Sequence, residues 1–474
     1  MTEQPEPADA PPALPALKIE ERDPDPENPW GDDVLGRKEI ADRLTGIVRG
    51  QEAPFVISVD GRWGTGKTFL LERWAQDLQN QGFEAIYFNA WEDDFNDDPL
   101  LAIVGQLSEH FTEGAPDEIA RSVAHATLNI VVKRITGLKV DELTPERLLD
   151  DYRDQGETKR AVKEQLSQLG YRVRDDTGQP LVFIIDELDR CRPTFAIELL
   201  ERVKHIFDVP NIVFVFGINR GELVKSLESV YGQIDAGTYL RRFFEMEFVL
   251  PAPDPVQYCR HLLNKYGLDS FLSNLSMSQG NFHFEDFGRI ADALPFILGT
   301  MGLSLRDMEY CIRLLSLAAR DLRPREPLYP ELLTVLMAVK ITNQDLYRRF
   351  VDGTARGADV INYMNTRRGS RDVSGRYRLP VAADGIHLFE AVLYSADGGG
   401  VVTRQIDALM NGWPMESPHY LAEHHLRLNQ GRDIDKQQLM QLKANVEGRG
   451  PSNDPQALAT LAQRIDMHDG FVRP

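Results

Sequence analysis

An α/β parallel sheet, interrupted by a helical insertion and followed by an all-helical half, is the fold that this 474-residue sequence predicts. Three observations carry it. Short apolar runs rich in β-branched residues alternate with helix-periodic segments over residues 55–250, the pattern of a sheet covered on both faces. The run Gly61-Arg62-Trp63-Gly64-Thr65-Gly66-Lys67-Thr68 fits G-x-x-x-x-G-K-[ST] between a strand and a helix. After residue 250 strand signals stop and helical periodicity continues to the C-terminus.

Residues 1–30 hold eight prolines and eight acidic residues against two basic ones, which predicts a disordered tail. Residues 34–48 read as a turn and an amphipathic helix, with Leu44, Ile47 and Val48 on one face and the segment near the nucleotide base. Phe55 to Val59 is a buried strand, and Lys67 to Leu78 is a helix with Leu70, Leu71, Trp74 and Leu78 at core spacing. Ala85 to Asn89 is the second strand, followed by the acidic loop Asp93 to Asp98 and a helix over residues 100–111. Residues 112–178 are charged and helical in period, and predict an insertion between sheet strands. Leu181 to Ile185 and Ile212 to Phe216 are uninterrupted apolar runs, the mark of strands buried on both faces. A helix over residues 195–207 joins them, and residues 245–250 form an edge strand. Pro251 to Pro255 is a rigid linker. Helices are expected around residues 256–266, 284–298, 304–319, 330–349, 384–395, 402–411, 433–446 and 455–466. The domain plan is a tail over 1–30, a nucleotide-binding core over 31–250, a helical lid over 251–325 and a helical accessory domain over 326–474.

Composition narrows the function. No apolar stretch reaches the roughly twenty residues that a membrane helix needs, and the N-terminus has no secretory pattern, so a cytoplasmic protein is expected. Cys191, Cys259 and Cys311 lack metal-ligand spacing and read as unpaired thiols of a reducing compartment. The net charge of −20 disfavours sequence-blind binding to nucleic acid or anionic lipid.

The chemistry concentrates in four places. In the phosphate loop, Gly61, Gly64 and Gly66 let backbone N–H groups turn toward phosphate oxygens, with Trp63, Thr65 and Phe69 completing the cradle. Lys67 reaches the β- and γ-phosphates, and the Thr68 hydroxyl ligates Mg²⁺. The third strand ends in Asp186, placed to hold the metal through water, and Glu187, placed to polarise the attacking water. Asn219, after the next strand, is a γ-phosphate sensor or a helix N-cap. Arg241 and Arg242 before the last strand, and Arg306 in the lid, are cations that can meet transferring phosphate. Arg367, Arg368, Arg371, Arg376 and Arg378 surround Tyr377, where a mobile loop is favoured over a nucleic-acid grip.

Taken together, Gly61-Arg62-Trp63-Gly64, Phe88-Asn89-Ala90-Trp91, Asp186-Glu187-Leu188-Asp189-Arg190-Cys191 and Asp33-Val34-Leu35-Gly36-Arg37 resemble the KAP family of P-loop NTPases over residues 31–320. The resemblance implies a sheet of the additional-strand type, with the strand carrying Asn219 between the phosphate-loop strand and the Walker B strand. It implies ATP rather than GTP as substrate and a role as a switch in a larger assembly; Mg²⁺ is expected from Thr68 and Asp186, and a homo-oligomer with partner proteins is expected. Bacterial members are associated with phage exclusion or membrane-linked signalling. The chain departs from the family in three respects. Glu187 stands where a second aspartate is common, which points to turnover. The polar stretch 112–178 stands where many members carry membrane helices, so direct insertion is not expected. Arg241-Arg242 replaces a Glu-Lys pair, so Arg242 is carried over as a cation only. The expected activity is an ATPase switch; a non-hydrolysing scaffold and a nucleic-acid-stimulated ATPase are the alternatives.

Overall fold

Continuous apolar runs cannot alternate between core and solvent, so their strands must be covered on both sides. The computed structural model places them so. It describes residues 14–18, 23–95, 99–113, 145–206, 208–252, 254–271, 301–320, 330–355 and 357–369, with residues 294, 298, 461, 462, 465 and 466. The chain forms two compact units, Arg22–Pro253 and Met1–Glu21 with Asp254–Pro474.

In the first unit the element order is α1 (Arg37–Val48), β1 (Phe55–Asp60), α2 (Lys67–Asn80), β2 (Ala85–Asn89), α3 (Pro99–Glu113), α4 (Pro145–Thr177) and β3 (Leu181–Asp186). It continues with α5 (Pro193–Ile206), β4 (Ile212–Ile218), α6 (Arg220–Tyr231), α7 (Ala236–Leu240) and β5 (Met246–Val249). The five strands pair in parallel in the order β2-β3-β4-β1-β5. β4 therefore separates the phosphate-loop strand β1 from β3, the arrangement of the additional-strand type.

The period-two pleat sorts side chains onto two faces. Ile57 and Val59, Val182 and Ile184, and Val213 and Val215 pack under α1 and α2, against Leu44, Leu70, Leu71, Trp74 and Leu78. Phe183, Ile185, Phe214 and Phe216 face α3, α4, α5 and α6. Each fully buried aliphatic side chain contributes about 1.5–3 kcal/mol to this sandwich. Trp74 is fully buried, and its indole N–H donates to Thr45 Oγ1 at 2.9 Å, so its polar end is satisfied.

Several expectations change. Ile47 was placed with Leu44 and Val48, but it stays 36% exposed on α1. The polar stretch begins two residues late, because α3 continues to Glu113, and it ends in a single 33-residue helix, α4. That helix buries Val162, Leu166, Leu169 and Val173 at helical spacing, while residues 114–144 lie outside the described residues. The proline-rich start also has ordered contacts: Asn80 Nδ2 donates to Pro26 O at 2.8 Å, and Trp30 is only 9% exposed.

In the second unit α8 (Pro255–Lys265) packs with α9 (Leu305–Arg320), burying the thiols of Cys259 and Cys311. Ala16 N donates to Tyr266 O at 2.9 Å, which holds part of the expected tail on this unit. The helix expected over 330–349 is two, α10 (Pro330–Thr342) and α11 (Gln344–Val351). Asn343 breaks it by accepting the Leu346 N–H as an N-cap. A further helix, α12 (Gly357–Gly369), contains Arg367 and Arg368, where composition favours a loop. Arg371, Arg376, Tyr377 and Arg378, and the helices expected over 384–446, lie outside the described residues. Among the described residues no helix is long and apolar enough to cross a membrane.

Candidate functional site

β1 delivers the chain into the phosphate loop with its backbone anchored to the neighbouring strand: Gly61 N donates to Ile218 O at 3.0 Å. Gly64 and Gly66 take φ of 70° and 84°, the left-handed region that a side chain disfavours. Thr65 Oγ1 donates to Arg62 O at 2.8 Å and closes the loop on itself. α2 begins at Lys67, whose buried ammonium donates to Gly61 O at 2.6 Å, and Thr68 follows in the first turn. The helix N-terminus adds positive potential below the loop.

The loop is also held from behind. Arg37 is 1% exposed and donates to Thr65 O at 2.8 Å and to Pro251 O at 3.0 Å. Burial pulls its guanidinium down to about 10, with Asp33 opposing. Sequence reasoning had Arg37 only as part of a family-like opening; its place in the first turn of α1, after the left-handed Gly36, was the available signal.

The pleat assigns Asp186 to the α2 side of the sheet, the same side as Val182 and Ile184. Its carboxylate is fully buried, accepting Glu187 N at 2.8 Å and Tyr87 Oη at 3.2 Å. Burial raises its pKa, while Thr68, the Glu187 amide and Lys67 work in the other direction. Gly217 makes the room: a Cβ there would sit 2.3 Å from Asp186 Oδ1 and 2.5 Å from Leu71 Cδ1.

Strand alternation would send Glu187 to the opposite face. Instead Glu187 takes φ of 60°, and its carboxylate returns to accept Thr68 Oγ1–H at 3.1 Å. Arg190, one turn on, forms an ion pair with the same carboxylate and lies over the Trp91 ring at 5.4 Å. Burial, then the Asp186 charge, raises the Glu187 pKa, with Arg190 opposing.

Asn219 is the N-cap residue of α6, where its backbone carbonyl accepts from Glu222 N and Leu223 N, but its side chain makes no capping hydrogen bond. Its backbone N–H donates to Asp189 Oδ1 at 2.7 Å. Trp63, 43% exposed, donates its indole N–H to Asp189 Oδ2 at 2.5 Å. Asp189 is the participant that sequence reasoning missed, because both donors are remote in the chain. Phe69 stacks under the Arg73 guanidinium at 3.7 Å, and Arg73 is paired with Asp32, so Phe69 belongs to the flank of the loop.

Thr68, Asp186, Glu187 and Lys67 are thus brought together by β1, β3 and α2, with Asn219 linked through Asp189. Arg241 and Arg242 are exposed just after α7. Arg306 is exposed on α9 in the other unit. Thr68 and Asp186 form an oxygen donor set that fits a hard divalent cation, and the loop with Lys67 fits a nucleotide phosphate tail.

A family model described as the KAP family P-loop domain matches residues 37–322. The phage T7 exclusion protein of Escherichia coli (strain K12) is 20% identical over 334 residues, covering 62% of this chain and 42% of that relative. The chain therefore spans less than half of that relative's length. Among solved structures, the Aeropyrum pernix ORC2 protein in ADPNP–ADP complexes aligns with a TM-score of 0.34 at 14% identity, over 87% of this chain and 94% of that one. AMPPCP-bound DnaA from Aquifex aeolicus aligns with a TM-score of 0.24 at 11% identity, over 77% and 94%.

Proposed function

The chain belongs to the KAP family of P-loop NTPases, and we propose that it is a cytoplasmic, Mg²⁺-dependent ATPase that works as a nucleotide-driven switch. The observation that carries this reading is the placement of Glu187. A left-handed backbone turns its carboxylate onto the same side of the sheet as Asp186, beside the Thr68 hydroxyl.

Each residue then has a task. The loop N–H groups and Lys67 bind the phosphate tail and orient the γ-phosphoryl group. Thr68 and Asp186 would hold Mg²⁺, which when bound neutralises charge on the phosphate oxygens. Glu187 accepts the proton of the attacking water, and its burial moves its pKa toward neutrality, the direction that favours a general base. Asn219 offers an amide to the γ-phosphate. Arg242, exposed on its own subunit, is suited to a neighbour's site.

The test is phosphate release. Glu187→Gln should keep ATP binding and lose turnover by about two orders of magnitude or more, the scale of a positioned base. Lys67→Ala should weaken ATP binding itself, since the loop loses its buried cation. The ion pair of Glu187 with Arg190 favours a second reading, a scaffold that holds ATP with its base restrained. Wild-type protein that binds ATP and releases no phosphate, alone or with partner proteins, would replace the first reading with this one.

The relative's name, phage exclusion, extends the proposal to antiviral defence. Expression in a phage-sensitive host should lower plaque counts, and Lys67→Ala should abolish that protection. Equal protection by both proteins would detach defence from the nucleotide site.

A further inference from the structure

β3, β4 and β1 lie side by side, and each ends in a segment of the candidate site. One carboxylate ties the three ends. The turn Leu188–Arg190 leaves β3 after Glu187 and carries Asp189 inward until it is 8% exposed. Asp189 Oδ2 accepts the indole N–H of Trp63, 126 residues away in the phosphate loop. Asp189 Oδ1 accepts the backbone N–H of Asn219, 30 residues away at the end of β4. An aspartate that served only its own turn would accept from the one or two amides that follow it. Here both donors come from other loops, and a charged acceptor makes both bonds strong. Trp63 has a half-exposed ring at the loop and a polar tether at its only donor, so the tether fixes its place where packing does not.

We propose that Asp189 is a positioning residue that sets the spacing between the phosphate loop and Asn219, and that this spacing lets the site tell a nucleoside triphosphate from a diphosphate. The proposal rests on the nucleotide-binding reading given above. The loop grips the phosphates common to both nucleotides. Only the triphosphate extends toward Asn219, whose side chain is free of a capping bond. Whether that amide meets the terminal phosphate depends on how far the Asn219 backbone stands from the loop. Asp189 holds both ends of that distance while following directly on Glu187, so the base, the loop and the amide share one reference point.

The experiment compares Kd for ADP and for ATPγS, each with Mg²⁺, in wild type, Asp189→Asn, Trp63→Phe and the double variant. Asparagine keeps the size of the side chain but offers one acceptor oxygen to two donors. Asp189→Asn should leave ADP affinity within about threefold and cut the preference for ATPγS by about tenfold, the effect of one lost charged hydrogen bond. Trp63→Phe, which keeps a ring and removes the donor, should lose part of the same preference. The double variant should be no worse than Asp189→Asn, because the two residues share one contact. The intrinsic fluorescence change on ATPγS binding, read as the difference between proteins with and without Trp63, should disappear in Asp189→Asn.

An unchanged preference in Asp189→Asn overturns the proposal, as do parallel losses for both nucleotides or additive losses in the double variant. If Asp189→Asn does not fold, Trp63→Phe alone must still lower the preference, and its failure to do so counts against the proposal. Wild-type protein that discriminates the nucleotides but releases no phosphate defeats the hydrolysis reading and leaves this one standing. Wild-type protein without any preference for ATPγS defeats this one, whatever its turnover.

Discussion

Gly217→Ala is a single added methyl group that should damage both the fold and the metal side of the site. The new Cβ would stand 2.3 Å from Asp186 Oδ1 and 2.5 Å from Leu71 Cδ1, where real Cβ contacts stay above 3.0 Å. Asp186 and Leu71 are both fully buried, so neither can swing into solvent. Each must retreat by half an ångström or more, or β4 must shift against β1, to which it is registered at Val59. Overpacking of this kind costs about 1–3 kcal/mol. Moving Asp186 also strains its bonds from Glu187 N and Tyr87 Oη, each worth about 1 kcal/mol. The lower chain entropy of unfolded alanine returns at most about 1 kcal/mol. A net loss of about 2–3 kcal/mol remains, read from urea unfolding with an unchanged m-value.

Gly221→Ala is the matched control. Its Cβ would make one ordinary contact, 3.5 Å to Asn219 Oδ1, and it lies in the first turn of α6. It should be neutral or stabilising by up to about 1 kcal/mol. The site provides a second readout. On the proposed function, Gly217→Ala should weaken Mg²⁺-dependent nucleotide binding by about tenfold, as expected when one of the two groups proposed to hold the metal is displaced. If Gly217→Ala costs less than about 0.5 kcal/mol, a typical surface value, and nucleotide affinity is unchanged, the close-packing argument is refuted.

Asp186→Asn should do the reverse to stability. Burial holds the folded pKa above the ordinary value of 3.8, so the unfolded chain ionises first as pH rises. Stability is therefore lost as pH climbs from that value through the folded pKa, and the whole loss is present above it. Thermal melts without nucleotide should show the variant more stable at pH 7, with the gain shrinking toward pH 4; an equal gain at both would refute the burial argument. Arg242→Ala should bind ATP within about threefold, under ~1 kcal/mol, yet turn over slowly. Mixed with Glu187→Gln, it should regain part of the activity if a neighbour completes each site. No recovery in a co-assembled mixture would confine Arg242 to its own subunit.

What the sequence made legible is what is local. The strands β1, β3 and β4 are unbroken apolar runs, and Leu70, Leu71, Trp74 and Leu78 mark the buried side of α2 by spacing alone. Lys67, Thr68 and Asp186 stood out as candidates because their pattern lies within one loop or at one strand end. Asp189 and Gly217 were not, because their importance depends on segments that meet only in the sheet. Trp63 and Asp189 are 126 residues apart, and Gly217 matters because Asp186 leans across from β3 and Leu71 from α2. Arg37 was legible only as the last residue of a family-like opening, because its two carbonyl partners, in the loop and beyond β5, are remote in the chain. Asn343 was hidden by good helical periodicity on both sides, although asparagine is a favoured cap.

Glu187 shows why strand pattern and site chemistry conflict here. Two consecutive residues of a strand point to opposite faces, so a regular continuation of β3 would separate its two carboxylates. The backbone at Glu187 breaks that rule at a conformational cost of about 1–2 kcal/mol for a non-glycine residue. It also brings the two acids to the same hydroxyl, and each charge then makes the other harder to carry. Both penalties fall on the protein alone. They are reduced when the shared side of Thr68, Asp186 and Glu187 receives positive charge, and Arg190 already supplies some of it to Glu187. A site built this way should be least stable when empty, and nucleotide with Mg²⁺ should raise its melting temperature more than the same nucleotide with chelator. The rise should be smaller in Asp186→Asn, which begins with less to relieve. An equal rise in both proteins would place the strain elsewhere than in the paired carboxylates.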